Sequence, residues 1–399
     1  MTAVLTPTPK YRIESIDILR GAVMLIMAID HVRDFFHCGH PEPTDLAVTA
    51  PILFFTRFTT HFCAPAFVFL TGVSAYLAGM RRTPNQLSAF LIKRGFWLIL
   101  VELVVVTFAI TLNPFFPVLI LQVIWAIGGS MVILGVLVGL RAPWQLIGAI
   151  GAIIFLGHNV FDIVKVDAVT DTFLGKLLLT TSRARGFWPL GNGHGLAMAY
   201  ALLPWTGVML VGYAFGTLYK KSVVVIKRRK TLLYSGLSLL VLFFVFRYFN
   251  IYGDPAPWSV QKTPALSVMS FFNVTKYPCS LLYLSMTVGT ALIILSVTEN
   301  ISNKFVAILI TYGNVPFFYY VCHWYLIKAV NIILFFASGF NSSQIVSPHR
   351  RNYFQPDNFG FNLFGVYVVW LVVIIILYFP CRWYSKYKRT HHQWWLSYL

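Results

Sequence analysis

Apolar positions along this chain gather in long uninterrupted blocks, a pattern matched to a hydrocarbon layer rather than to a soluble core. A helix needs roughly 20 apolar residues to cross ~30 Å of hydrocarbon. Ten blocks reach that length: Ile16–Phe36, His61–Met80, Leu87–Ile110, Val118–Leu140, Trp144–Ile163, Leu196–Tyr219, Leu232–Phe249, Pro278–Val297, Val315–Phe336 and Phe361–Phe379. The pattern predicts an all-α polytopic transmembrane helix bundle of about ten spans. The third and fourth blocks are joined by a short hairpin that opens Thr111-Leu112-Asn113-Pro114. Phe173–Thr180 is too short to span and is expected to lie at the membrane interface. The connections His37–Phe55, Ile251–Tyr277 and Ala337–Gly360 are expected to cap an outer vestibule.

Charge fixes an expected orientation. Basic clusters sit between the blocks at Arg81-Arg82, Lys220-Lys221, Lys227-Arg228-Arg229-Lys230 and Lys386 to Arg389. With the N-terminus inside, all of these fall on the cytosolic side together with Arg141 and Lys304, and both termini are cytosolic. The loop from Lys165 to Gly195, with Lys165, Lys176, Arg183 and Arg185, runs against this arrangement, which leaves it outside.

Composition agrees with the membrane reading. Apolar residues make up 58% of the chain and charged residues 11%, against about 25% charged in soluble domains. Much of the basic excess behind the formal charge of +18 sits in the flanking clusters. No basic groove or nucleic-acid module is recognisable, so no nucleic-acid partner is expected. The five cysteines, Cys38, Cys63, Cys279, Cys322 and Cys381, show no metal-ligand spacing, and no metal is expected. Met1 to Tyr11 has no apolar region of the signal-peptide kind, so the first helix itself is expected to direct insertion.

Candidate chemistry concentrates on the first block. Ionisable residues inside a membrane helix face protein or water, and here they are Asp17, Arg20, Asp30, His31, Arg33 and Asp34. At ~100° per residue, Asp17, Arg20, His31 and Asp34 share an arc of about 100° with Met24 and Met27, and Arg33 falls on the other side. Arg20 and His31 lie ~16 Å apart along the axis. Asp34, at i+3, is close enough to orient the His31 ring, an arrangement suited to a general base. His61 opens the second block near the level of His31, His37 and His40 follow the first helix, and His323 lies within the ninth block, where it needs a partner. His158 and Glu102 are read as structural. So are the glycines of the fourth block, Gly128, Gly129, Gly135 and Gly139, which equally suit close packing around a conduit.

These residues carry a resemblance. Arg12-Ile13-Glu14-Ser15-Ile16-Asp17-Ile18-Leu19-Arg20-Gly21 followed by Asp30-His31-Val32-Arg33-Asp34-Phe35-Phe36 resembles the opening of the heparan-alpha-glucosaminide N-acetyltransferase catalytic-domain family, within the transmembrane acyltransferases. Phe62 to Gly72, Leu203 to Met209 with Gly212 to Gly216, Thr275-Lys276-Tyr277-Pro278, and Tyr312 to Tyr320 with His323 resemble later parts of the same family. The chain then reads as one domain over residues 1–399, with a family-like core at 11–336; residues 337–399 add an outer loop, the last span and a basic tail.

The resemblance implies transfer of an acyl group, usually acetyl, from cytosolic acyl-CoA to a carbohydrate or small-molecule acceptor at or across the membrane. A bacterial cytoplasmic membrane is the expected location, and the oligomeric state is open. It implies His31 or His40 as base, with Asp30 and Asp34 beside the first. The lysosomal members have Asn near the position of His31 and a catalytic His in the following loop, where this chain has His40 and His37. Arg20, Arg12, Arg81 and Arg82 are the candidates for the CoA diphosphate, and His61, Lys276 and His323 for the acceptor. A proton-coupled transporter is the competing function, since intramembrane Asp and His also mark proton relays. A haem protein with histidine axial ligands is a third.

Overall fold

The computed structural model describes residues 13–164, 167–179, 186–346, 353–356, 358–391 and 393–397. The chain opens with α1 (Glu14–Phe36), α2 (Pro51–Thr60), α3 (Cys63–Gly79) and α4 (Pro84–Val101). The last of these starts at a capping box between Thr83 and Gln86, which satisfies two backbone N–H groups that a helix start leaves open. It runs on through a π-helical turn, Glu102–Val106, into α5 (Thr107–Thr111). Strand β1 (Val118–Leu121) and helix α6 (Val123–Gly139) follow, then α7 (Trp144–Gly157), α8 (Val160–Ile163), α9 (Asp167–Thr170), α10 (Phe173–Leu178), β2 (Phe187–Gly191), β3 (His194–Met198) and α11 (Leu202–Phe215). The remainder is α12 (Val225–Phe249), α13 (Pro264–Phe272), α14 (Leu281–Val297), α15 (Lys304–Gly313), α16 (Pro316–Ala337) and α17 (Leu363–Thr390).

Each of the ten apolar blocks contains a helix. Six helical stretches, Pro51–Gly79, Trp144–Ile163, Leu202–Tyr219, Val225–Phe249, Pro316–Ala337 and Leu363–Thr390, are long and apolar enough by length and composition to cross a membrane. The Phe173–Leu178 stretch is a short helix started by the Thr172 hydroxyl.

The expectation of an all-α fold is corrected in one place. Three strands pair in the order β1-β3-β2, with Val118 opposite Gly195 in the parallel pair and Phe187 opposite Ala197 in the antiparallel one. The hairpin between β2 and β3 turns on Gly191, Asn192 and Gly193, all at positive φ, a conformation that Asn and Gly adopt most readily. Val118–Leu121 is apolar enough to merge with the helix behind it in a hydropathy reading, and four residues show no period. The sheet matters to the site because β1 runs through Gln122 into α6 and β3 through Ala199-Tyr200 into α11, and all three connecting residues border the main cavity.

Helix α1 is rich in ionisable residues yet is packed on nearly every face, against α2, α3, α14, α15, α16 and α17. That is where charge belongs when the surroundings are lipid. Its fit to α15 is backbone on backbone: a Cβ on Gly21 would lie 1.9 Å from the Leu309 carbonyl oxygen, and one on Gly313 would lie 2.0 Å from that of Asp17. The glycines of α6 also pack against neighbours. A Cβ on Gly128 would approach the Gly95 carbonyl to 2.6 Å, while Gly129 abuts Leu202, Gly135 abuts Ile92 and Gly139 abuts Ser88.

Candidate active site

Two cavities lie end to end along one face of α1. The larger, of 540 Å³, is bordered on α1 by Met27, Asp30, His31, Arg33 and Asp34, with Arg57, His61, Tyr200 and Lys276 opposite. The smaller, of 100 Å³, is bordered on α1 by Arg20 and Met24 and elsewhere by Arg94, Leu98, Met131 and Tyr320. Four helices line both cavities, and each changes from one to the other within about a turn. On α1 the change falls between Met24 and Met27, and on α16 between Tyr320 and Trp324. On α3 and α6 it falls on Phe67 and Val123, which border both cavities.

His31 meets His323 beside this junction, Nδ1 to Nε2 at 2.7 Å. His323 Nδ1 contacts the Tyr320 carbonyl oxygen one turn back on the same helix. A carbonyl only accepts, so that nitrogen carries the proton. With both rings neutral, His323 Nε2 is then an acceptor and His31 Nδ1 the donor, which leaves the lone pair of His31 on Nε2. The His31 ring is also stacked on Trp324, centroids 4.0 Å apart and planes 19° from parallel. His31 thus has a fixed tautomer and a fixed plane, two requirements of a positioned base.

A charge cluster forms the adjoining wall. Asp30 sits between two guanidinium groups, bonded by Arg57 Nη1 through Oδ2 and facing Arg33 Nη2 at 3.1 Å through Oδ1. Arg57 also donates to Thr60 at 3.1 Å, and Arg33 Nη2 pairs with Asp34. Buried charge is stable only with such multiple partners. Two buried nitrogens of the wall, Arg33 Nη1 and His61 Nδ1, have no hydrogen-bond partner among the described residues.

Lys276 comes from the connection between α13 and α14. Asp254 fixes that connection, accepting from the Thr275 backbone N–H at 2.8 Å, the Thr275 hydroxyl at 2.9 Å and the Ser280 hydroxyl at 2.7 Å. Asn273 donates to the Thr44 carbonyl at 2.9 Å, tying two of the expected vestibule loops together. The Lys276 ammonium lies 5.1 Å from the Tyr277 ring centroid.

Asp30, His31, Asp34, His61 and Lys276 share the large cavity. His323 is fully buried behind His31. The partner of His31 is therefore His323 and not Asp34, whose bond is to Arg33. Neither His37 nor His40 borders the cavity among the described residues; His40 lies in the turn after α1 at φ +42°. Arg20 bonds Ser74 and the Leu70 carbonyl on α3 and faces Asp17 at 3.5 Å. Arg81 is exposed, and Arg82 stacks on Phe90 at 4.5 Å beside a separate cavity of 300 Å³ that it shares with Arg141. Arg12 lies outside the described residues. His158 Nε2 bonds the Cys279 carbonyl at 2.9 Å, and Glu102 accepts from the Gln122 N–H at the start of α6 at 3.0 Å. All five cysteines are free.

Arg57, Arg94 and Trp324 were not singled out. Arg57 and Arg94 each interrupt an apolar stretch, the signal that identified His31. Arg57 lies in the gap between the connection His37–Phe55 and the block that opens at His61, where hydropathy marks no span, and Arg94 follows Lys93 in the first third of its block.

Residues 12–246 match the family model described as heparan-alpha-glucosaminide N-acetyltransferase, catalytic. The match spans well over half of the 399 residues and takes in His31, Arg57 and His61, stopping short of Lys276 and His323. No curated protein matches the chain.

Proposed function

Because this chain belongs to the heparan-alpha-glucosaminide N-acetyltransferase catalytic family, we propose that it moves an acetyl group from cytosolic acetyl-CoA to an amino-sugar or related amine acceptor held in the 540 Å³ cavity. The observation that carries this reading is the His31–His323 pair at 2.7 Å, beside the junction of the two cavities. The acceptor amine attacks the thioester carbonyl while His31 Nε2 takes its proton. A C–N bond forms, the C–S bond breaks, and the thiolate of CoA leaves and is protonated. Lys276 and Arg57 hold the acceptor, with Asp30 keeping Arg57 in place. Asp34 acts on Arg33, and the cavity border favours His31 over His40 as the base.

On the donor side, Arg20 and Arg94 border the small cavity and supply the cations that a CoA diphosphate needs. Arg12, Arg81 and Arg82 serve the outer part of the same nucleotide. The ten helical blocks cross the membrane, both termini are cytosolic, and the chain acts as one catalytic unit with its core at residues 11–336. Purified protein in vesicles should transfer label from acetyl-CoA to glucosamine, and Arg20→Ala should weaken CoA binding by about 10-fold or more while leaving the fold intact, with Lys a poor substitute. Equal CoA affinity in a folded Arg20→Ala protein contradicts the donor assignment.

Two stacked cavities would also suit a transporter. That reading requires counterflow of a small molecule across vesicles lacking acyl-CoA, and it fails if flux is absent without the donor.

A further inference from the structure

We propose that Phe67 and Val123 form a plug between the donor and acceptor cavities and set the size of the acyl group that can reach His31. This rests on the acyltransferase reading above. The two residues are the ones that border both cavities, and each is more than nine-tenths buried. Met24 and Met27, one turn apart on α1, flank the same level from the donor and acceptor sides. An acyl group that enters beside Arg20 must pass this ring to reach the lone pair of His31.

The two halves of the plug differ in how they are held. Val123 is the first residue of α6, and the preceding Gln122 N–H is bonded at 3.0 Å by Glu102, a fully buried carboxylate in the π-helical turn. That bond fixes the backbone of the Val123 side. The opposite side is the Phe67 side chain, on a cavity wall shared with the pliable thioethers of Met24 on the donor side and Met27 on the acceptor side. The donor cavity is small, at 100 Å³, and it meets the acceptor cavity at Phe67 and Val123. Its apolar wall of Leu98, Met131 and Phe317 suits the methyl of an acetyl group. Each further methylene must be placed against Phe67, and a tight apolar pocket discriminates about 10-fold or more per methylene.

The experiment compares acetyl-, butyryl- and hexanoyl-CoA as donors for the full-length protein in vesicles, with CoA binding measured separately. Phe67→Ala should raise the hexanoyl-to-acetyl ratio of kcat/KM by about 10-fold or more, and Val123→Ala should raise it in the same direction. Phe67→Trp should depress kcat for every donor while CoA still binds. The ratio is an internal comparison within each variant, so a general loss of stability does not move it, and Phe67→Leu serves if the alanine variant fails to fold. A wild-type protein that transfers acetyl, with Phe67→Ala and Val123→Ala giving the wild-type ratio, overturns the plug alone. A wild-type protein with no CoA-dependent transfer overturns the acyltransferase reading and the plug with it.

Discussion

At the scale of single residues, the chemistry depends on which nitrogen of His31 is free. The Tyr320 carbonyl sets the tautomer of His323, which sets that of His31. His323→Leu should therefore cost a large part of the 10²–10⁴-fold that a general base contributes, with little change in CoA affinity. His323→Gln, whose amide oxygen can still accept from His31 Nδ1, should retain more turnover than the leucine variant. Equal turnover of the leucine, glutamine and wild-type proteins would remove His323 from the mechanism. His31 was legible in the sequence because it shares a helix face with Arg20 and sits in an apolar block. Its partner was not, since His323 lies 292 positions away and only folding brings them together. Arg33 was misjudged for a different reason. A helical wheel places Cβ, and an arginine side chain is long enough to swing back to Asp30 and Asp34.

At the scale of elements, helix contacts are decided by backbone approach more than by side-chain filling. The α1–α15 contact leaves no room for a methyl at Gly21 or Gly313, and the opposing atoms are main-chain carbonyls that cannot rotate away. Gly21→Ala or Gly313→Ala should lower stability by about 1–3 kcal/mol, the usual cost of overpacking, read as an earlier thermal unfolding in detergent. An unchanged transition would mean that the two helices separate freely. Helix existence was well marked by hydropathy, because a spanning block carries its signal in every residue. Three elements escaped it. Helix α15 is shorter than a span, α2 is hidden by Arg57 and the prolines before it, and the small sheet uses strands of four and five residues. Local pattern is weak at that length, and pairing across the chain decides the outcome.

At the scale of the whole molecule, the charged helix α1 is packed on nearly every face, while the apolar stretches Trp144–Ile163, Val225–Phe249 and Leu363–Thr390 are the least buried of the six span-length ones, at 22% each. This is the ordering expected when lipid is the solvent. The basic segment Lys227–Lys230 at the start of α12 and the basic end of α17 from Lys386 should lie on one side. Cysteines placed at either should resist impermeant thiol reagents in intact cells and react after permeabilisation, and labelling of one from outside would break the even-span topology. A sequence can show that ionisable residues are present in the membrane. It does not show that they divide into two cavities separated by Phe67 and Val123, because that boundary is drawn by four helices at once.

The central claim is that His31 is the base of a CoA-dependent acetyl transfer, and its most direct measurement is single-turnover transfer from labelled acetyl-CoA by His31→Ala in vesicles, alongside wild-type protein and His40→Ala. The account predicts that His31→Ala binds CoA like wild type and loses about 10²–10⁴-fold in transfer rate, while His40→Ala keeps most of it. Near-normal transfer by His31→Ala, with loss in His40→Ala, would contradict it and move the base to the loop after α1.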